Sequence, residues 1–305
     1  MGNLTVTFAP HIRAPLTTSK IMQDVIIALC PALIASVLIF GWRAAAVVLL
    51  CMGWCVIFER GFQHITKRPN TIRDNSAALT GLLLAFNLPV GIPFWMAIVG
   101  CAVAIILVKQ MFGGIGKNFA NPALTARIVM FISFPTAMAT WVHVDGVSTA
   151  TPLELMQRGD FAYMPSMAQM LLGTHGGSLG ETSAIALLLG GAYLLFRRVI
   201  TWHIPVSIIG TVVVLSVLLG ENPMYHILLG GLLLAAIFMA TDYPTSPQTG
   251  KGRIIFGIGV GLLTVVIRVW GNFPEGISFA ILFMNCLVPY INKFSYSRAL
   301  GGKRA

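Results

Sequence analysis

Apolar residues run in long stretches along most of the 305-residue chain, separated by short polar islands. Ten stretches approach the length needed to cross ~30 Å of hydrocarbon. They cover about residues 22–40, 44–58, 76–90, 93–108, 121–135, 182–196, 203–219, 223–240, 254–270 and 274–290. The pattern predicts an all-α polytopic membrane protein with about ten transmembrane helices. Several stretches fall short of the ~20 residues that an isolated span requires. Stretches 76–90 and 121–135 are bordered by Asn87-Leu88-Pro89, Gly91-Ile92-Pro93, Asn121-Pro122 and Phe134-Pro135. Broken helices are tolerated at membrane depth only where the freed backbone groups face protein or a polar cavity. The breaks therefore predict a site inside the bundle.

The two halves echo each other. Thr80-Gly-Leu-Leu-Leu-Ala-Phe-Asn-Leu-Pro89 is similar to Gly230-Gly-Leu-Leu-Leu-Ala-Ala, and residues 100–109 are similar to 259–268. Five segments per half is an odd number, so the halves would have opposite topology. Inverted repeats with broken helices place a site at the repeat interface. The expected organisation is a cytoplasmic tail over 1–21, a first five-helix repeat over 22–135 and an outer loop over 136–181. A second five-helix repeat over 182–290 and a basic cytoplasmic tail over 291–305 follow. The outer loop is too long for a turn, and residues 165–172 read as a Met-rich helix at the interface.

Composition agrees with lipid as solvent. Hydrophobic residues make up 56% of the chain and charged residues 10%, against about 25% charged in a soluble domain. Mean hydropathy is +0.83. The net charge of +10 would raise nucleic acid as a partner in a soluble protein. Here the placement of the charges decides otherwise. With a cytoplasmic N-terminus, sixteen of the twenty basic residues, Lys109 among them, sort to the cytoplasmic side, as the positive-inside rule requires. Arg43, Arg158 and Arg268 fall outside, and Arg127 lies within a segment. Met1 to Lys20 has no apolar core, so no cleavable signal peptide is expected. Of the five cysteines, Cys51 and Cys55 lie one helical turn apart, which reads either as a ligand pair or as small packing residues.

Four polar islands carry the candidate chemistry. Asp145-Gly-Val-Ser148-Thr149-Ala150-Thr151-Pro152 lies in the outer loop and by itself reads as a turn and helix cap. Phe112-Gly-Gly-Ile-Gly-Lys117-Asn118-Phe119-Ala120-Asn121-Pro122 opens a broken segment. Its glycines let backbone approach a ligand closely. Asn118 and Asn121, three apart, would share a face if the helix began there, either as ligand contacts or as caps. Asp242, in Thr241-Asp242-Tyr243-Pro244-Thr245-Ser246-Pro247, reads as an ion or cofactor contact or as a cap for the following helix. Gly176-Gly-Ser-Leu-Gly180-Glu181-Thr182-Ser183 is a glycine-rich approach to the sixth segment, with Thr182 or Ser183 as an N-cap or a ligand contact. No Ser/His/Asp set, His-rich metal spacing or soluble nucleotide-binding unit is present, so no catalytic residue and no metal site is assigned.

In this order the islands resemble the NqrB/RnfD family, over nearly the whole chain. That family comprises a membrane subunit of the Rnf electron transport complex and its counterpart in the Na+-translocating NADH:quinone reductase. Ser148-Thr149-Ala150-Thr151, preceded by Asp145-Gly146, is similar to the family's flavinylation motif. The resemblance implies FMN joined through a phosphoester to Thr151 by an exported flavin transferase, with Asp145 and Ser148 in the recognised sequence. It also implies a noncovalent riboflavin site with Asn118 and Asn121 as contacts, and Asp242 as a matching acid in the second-half break. The chain lacks the long N-terminal extension of the quinone-reductase member, which favours the Rnf side.

The implied function is electron relay coupled to outward movement of Na+ or H+ in a ferredoxin:NAD+ oxidoreductase of the bacterial or archaeal cytoplasmic (inner) membrane. Iron–sulfur, FMN-bearing and membrane subunits of the Rnf complex, together with membrane lipid, are the implied partners. No dinucleotide fold or iron–sulfur cysteine cluster is present here, so partners handle NAD and ferredoxin. Two rival readings stand beside this one: a non-redox channel or carrier of urea-channel type, and a structural anchor with the motif unused.

Overall fold

In the computed structural model, the chain is described over residues 17–142, 148–149, 152–158, 164–174, 176–181, 183–271 and 275–296. Each of the ten apolar stretches has a helical counterpart. Helix α1 spans Thr18–Phe40 and α2 spans Trp42–Ile65. A 3-10 turn at Ile72–Asp74 leads into α3, Ser76–Phe86. Helix α4 spans Phe94–Ala102 and continues as a π-helical stretch over Val103–Gln110. Helix α5 spans Pro122–Ser133 and α6 spans Pro135–Ala139.

Two short helices follow in the connecting region, α7 (Pro152–Arg158) and α8 (Met167–Leu172). The second half comprises α9 (Ala184–Phe196), α10 (His203–Leu218), α11 (Pro223–Leu228), α12 (Leu232–Leu234, continuing π-helical over Ala235–Met239), α13 (Gly250–Trp270) and α14 (Ile277–Ser295). Helices α1, α2, α13 and α14 are long and apolar enough to cross a membrane, and α3, α4 with its π-helical continuation, α5, α9 and α10 are shorter apolar helices. This architecture is consistent with a polytopic membrane protein.

The structure differs from the sequence expectation in several places: α2 runs on to Ile65 where the stretch is expected to end at 58, and α13 begins at Gly250 where 254 is expected. Helix α1 begins four residues earlier than residue 22, because the Thr17 side chain accepts from Lys20 N–H and caps it. Helix α14 runs past residue 290 to Ser295. The eighth stretch is two helices, interrupted at Gly230 and Gly231, which both adopt positive φ (68° and 64°). A two-residue antiparallel ladder, β1 (Trp141–Val142) with β2 (Ser148–Thr149), interrupts the all-α pattern. The expected Met-rich helix is present as α8, closed by a reciprocal Ser166/Gln169 capping box.

Small residues set how closely the helices cross. A Cβ on Gly81 would lie 2.6 Å from the Cys51 carbonyl oxygen, so α3 runs directly against the α2 backbone. Gly257 and Gly261 of α13 press on Ser207 and Thr211 of α10 in the same manner, the small-xxx-small packing of membrane helices. Cys51, Cys55 and Cys101 are fully buried, with the Cys101 thiol 3.6 Å from the Cys51 carbonyl. Their place at these crossings supports the packing reading of Cys51 and Cys55.

Candidate functional site

The breaks bring distant polar residues to one place. Residues after α4 form a glycine loop in which Gly113, Gly114 and Gly116 all take positive φ, and the loop ends at Asn121. Helix α5 begins at Pro122, so Asn118 lies in the loop and, contrary to the spacing, shares no helix face with Asn121. Asn121 caps α5, its Oδ1 accepting from Ala123 and Leu124 N–H at 3.0 and 3.2 Å. Its Nδ2 donates across the halves to the Met239 carbonyl at 3.2 Å, at the end of the π-helical continuation of α12. Asn285 of α14 completes the junction. With its amide nitrogen toward Thr245, it donates to the Thr245 carbonyl and accepts from Asn121 N–H.

Asn118, Asn121 and Asp242 line one cavity of ≈ 840 Å³, counting its open mouth. Apolar walls come from Met22 and Val25 of α1, Leu79 and Leu83 of α3, Leu194 of α9 and Phe238. Lys109 and Thr80 add polar groups. Charge sorting along the sequence makes Lys109 a cytoplasmic loop charge; the structure buries it at 3% exposure. Its Nζ donates to Glu59 Oε2 and to Ser76 Oγ, both at 2.6 Å. Glu59, fully buried, also accepts from Thr71 and Gln63. The signal was present: a lysine and a glutamate near helix ends, in segments where charge is expensive.

Asp242 does not cap the following helix, which Thr249 caps. It accepts instead from the Thr245 hydroxyl at 3.0 Å, closing a local turn. Burial pushes its carboxyl up to about 6, while the Thr245 hydroxyl, the Asn118 amide and the Lys109 ammonium pull the other way. The native carboxyl thus holds its proton to a higher pH than the unfolded chain does. Its contribution to stability is lost as pH rises from the ordinary 3.8 toward about 6. Asp242→Asn is expected to flatten that part of the pH dependence of thermal stability in detergent. Parallel curves for variant and parent would show a carboxyl that titrates alike in the folded and unfolded chain.

A second polar cluster lies on the other side of the α3 break. Arg127 of α5 donates to Asn87 Oδ1 at 2.8 Å and to Ser278 Oγ, and pairs with Glu275. Arg268 of α13, 1% exposed, donates to the carbonyls of His226, Leu229, Gly230 and Glu275. Lys109 and Arg268, which end the similar stretches 100–109 and 259–268, therefore both secure the entrance of a short helix. The glycine-rich approach packs between the halves: Leu179 N–H donates to the Leu88 carbonyl, and Gly180 abuts Phe86 and Leu234. Ser183 caps α9. Of the motif in the connecting region, Ser148 belongs to β2, whereas Asp145 and Thr151 lie outside the described residues. Directly after Thr151, α7 is docked on the second-half break, with Leu153 buried beside Leu229 and Gln157 donating to the Arg268 carbonyl at 2.6 Å.

A model of the NQR2, RnfD, RnfE family matches residues 5–301. The chain belongs to that family. Among its relatives it is 47% identical to the D component of the Na+-translocating ferredoxin:NAD+ oxidoreductase complex of Acetobacterium woodii, over 98% of this chain and 96% of that protein. It is 41% identical to the D component of the proton-translocating ferredoxin:NAD+ oxidoreductase complex of Clostridium ljungdahlii, over 98% and 97%. It is 39% identical to the D component of the ion-translocating oxidoreductase complex of Stutzerimonas stutzeri, over 93% and 92%. The family match spans both polar clusters and the region connecting the halves, so the whole architecture described above falls within it.

Proposed function

We propose that this chain is the membrane flavoprotein subunit of an ion-translocating ferredoxin:NAD+ oxidoreductase. It would relay electrons across the membrane, coupled to movement of Na+ or H+. The relatives' names support the complex and the reaction class. FMN is held covalently on Thr151, in the sequence that includes Asp145 and Ser148, and a second flavin, riboflavin, sits noncovalently in the cavity between the halves. Iron–sulfur and further flavin subunits deliver and remove electrons, and an exported flavin transferase loads Thr151. The ten apolar segments form two inverted repeats of five spans in the cytoplasmic membrane, with both termini cytoplasmic and the Thr151 loop outside. The matched roles of Lys109 and Arg268 at the two short-helix entrances support that symmetry.

One observation carries the flavin reading: Asn118, Asn121 and Asp242, from distant islands, line a single cavity with Lys109. The donor set fits a flavin. Leu79, Leu83, Met22 and Phe238 present apolar surface to a flat ring system, while the amides, the carboxyl and the ammonium present polar groups to its edge. Bound flavin would supply the one- and two-electron chemistry. The chain's own residues bind, orient and exclude water, and none needs to act as a catalytic acid or base. Asn118→Leu should lower the noncovalent flavin extracted from the purified complex several-fold. Asn121→Leu should do the same, with an added cost from the lost α5 cap. Unchanged flavin content in Asn118→Leu would reduce these amides to helix and loop closure.

A further inference from the structure

Beside the cavity described above, and sharing Val199, Ile200, Thr241 and Tyr243 with it, lies a second pocket of ≈ 660 Å³ counting its open mouth. Its charged lining residues are both arginines, Arg198 and Arg253, and no carboxylate lines it among the described residues. Arg253 is held in place: Nε donates to the Pro247 carbonyl and Nη1 to the Thr201 hydroxyl, both at 3.1 Å. That arrangement leaves its second terminal nitrogen without a hydrogen-bond partner among the described residues. Arg198 takes a left-handed conformation, φ 56°, just past the end of α9. Such a conformation is uncommon for a residue with a Cβ. Its guanidinium has neither a hydrogen bond nor an ion pair among the described residues. Ser246, buried on the pocket wall, has a hydroxyl likewise without a partner there.

Two guanidiniums and a free hydroxyl around one hollow, with no acid among them, suit an anion with several acceptor oxygens. Arginine forks match phosphate oxygens two at a time. Exposed apolar side chains neighbour the lining residues along the chain: Phe196 and Trp202 next to the Arg198–Thr201 stretch, and Ile254 and Ile255 next to Arg253. They offer a surface along which acyl chains can lie while a headgroup occupies the hollow, and basic pockets between membrane helices bind anionic headgroups in this way. We propose that Arg198, Arg253, Thr201 and Ser246 form a phosphate-ester site that takes the headgroup of an anionic phospholipid. The proposal is independent of whether the neighbouring cavity holds flavin.

Native mass spectrometry of the intact complex, titrated with phosphatidylglycerol and separately with phosphatidylcholine and inorganic phosphate, tests the site. Retention of phosphatidylglycerol over phosphatidylcholine is expected. It should fall about tenfold in Arg198→Gln and further in the Arg198→Gln/Arg253→Gln double variant, at roughly tenfold per charged contact. Arg198→Gln removes a guanidinium that has no partner among the described residues, so its folding is expected to match the parent. Arg60→Gln, an exposed arginine outside the pocket, should change nothing. Phosphate binding lost in the same variants, without selective lipid retention, would overturn the lipid assignment and give the anion site to a free phosphate. Lipid and phosphate binding unchanged in both pocket variants would overturn the site itself.

Discussion

Thr151→Val is expected to remove the flavin fluorescence of the chain after denaturing electrophoresis, while the chain still inserts into the membrane. The parent, co-produced with a flavin transferase, should give a fluorescent band under the same conditions. The expected effect is complete, because a phosphoester needs a hydroxyl oxygen and valine matches threonine in shape without supplying one. Small neighbours on the N-terminal side, Ser148 to Ala150, leave room for another enzyme to reach the hydroxyl. On the C-terminal side α7 is anchored by Leu153 and Gln157, so a flavin on Thr151 would be tethered close to the bundle at high effective concentration. A band that still fluoresces in the variant would move the attachment to another hydroxyl. A parent band without fluorescence would sink the covalent-flavin reading and favour a channel.

Lys109→Met should destabilise the protein by about 3–5 kcal/mol, the usual cost of leaving one member of a buried ion pair without its partner. Glu59 has no exposed surface, and its remaining partners, Thr71 and Gln63, are neutral. Ser76 Oγ would lose its donor as well, loosening the start of α3. The Glu59→Gln/Lys109→Met double variant should recover most of the loss, since no uncompensated charge remains in it. Thermal unfolding in detergent, followed for both variants, reads the difference. A single variant as stable as the parent would mean that water reaches Glu59. The same substitution takes an ammonium out of the cavity wall, so flavin content measured on the double variant separates folding from binding.

Much of the architecture is readable from composition alone. The apolar stretches and their Pro and Gly borders predict where most helices lie, and every stretch has a helical counterpart, although α2 runs on to Ile65 and the eighth stretch is two helices. Asn87, Asn121 and Gly230 mark breaks for simple reasons. Asparagine closes a helix end with its side chain, proline at the first helical position lacks the donor that would be orphaned there, and glycine accepts positive φ. The islands that resemble the family are legible as short strings, because recognition by another enzyme requires contiguous residues.

The misreadings share one origin. Lys109 looks like a loop charge because it ends an apolar run. The spacing of Asn118 and Asn121 implies a common helix face because nothing local says that α5 begins at Pro122. Asp242 stays open between cap and contact until Thr249 proves to cap α13. Each question turns on which group lies opposite, and the partners are far away in sequence: Glu59 is 50 residues from Lys109, and Met239 is 118 from Asn121.

Hydropathy, helix breaks and charge sorting are sums over neighbouring residues, so the chain reveals its lipid solvent, its broken helices and its family without folding. Close crossings at Gly81, Gly257 and Gly261 decide how those helices stack. Only that stacking faces the breaks of the two halves toward each other, because the energy that pairs buried polar groups acts through space and not along the chain.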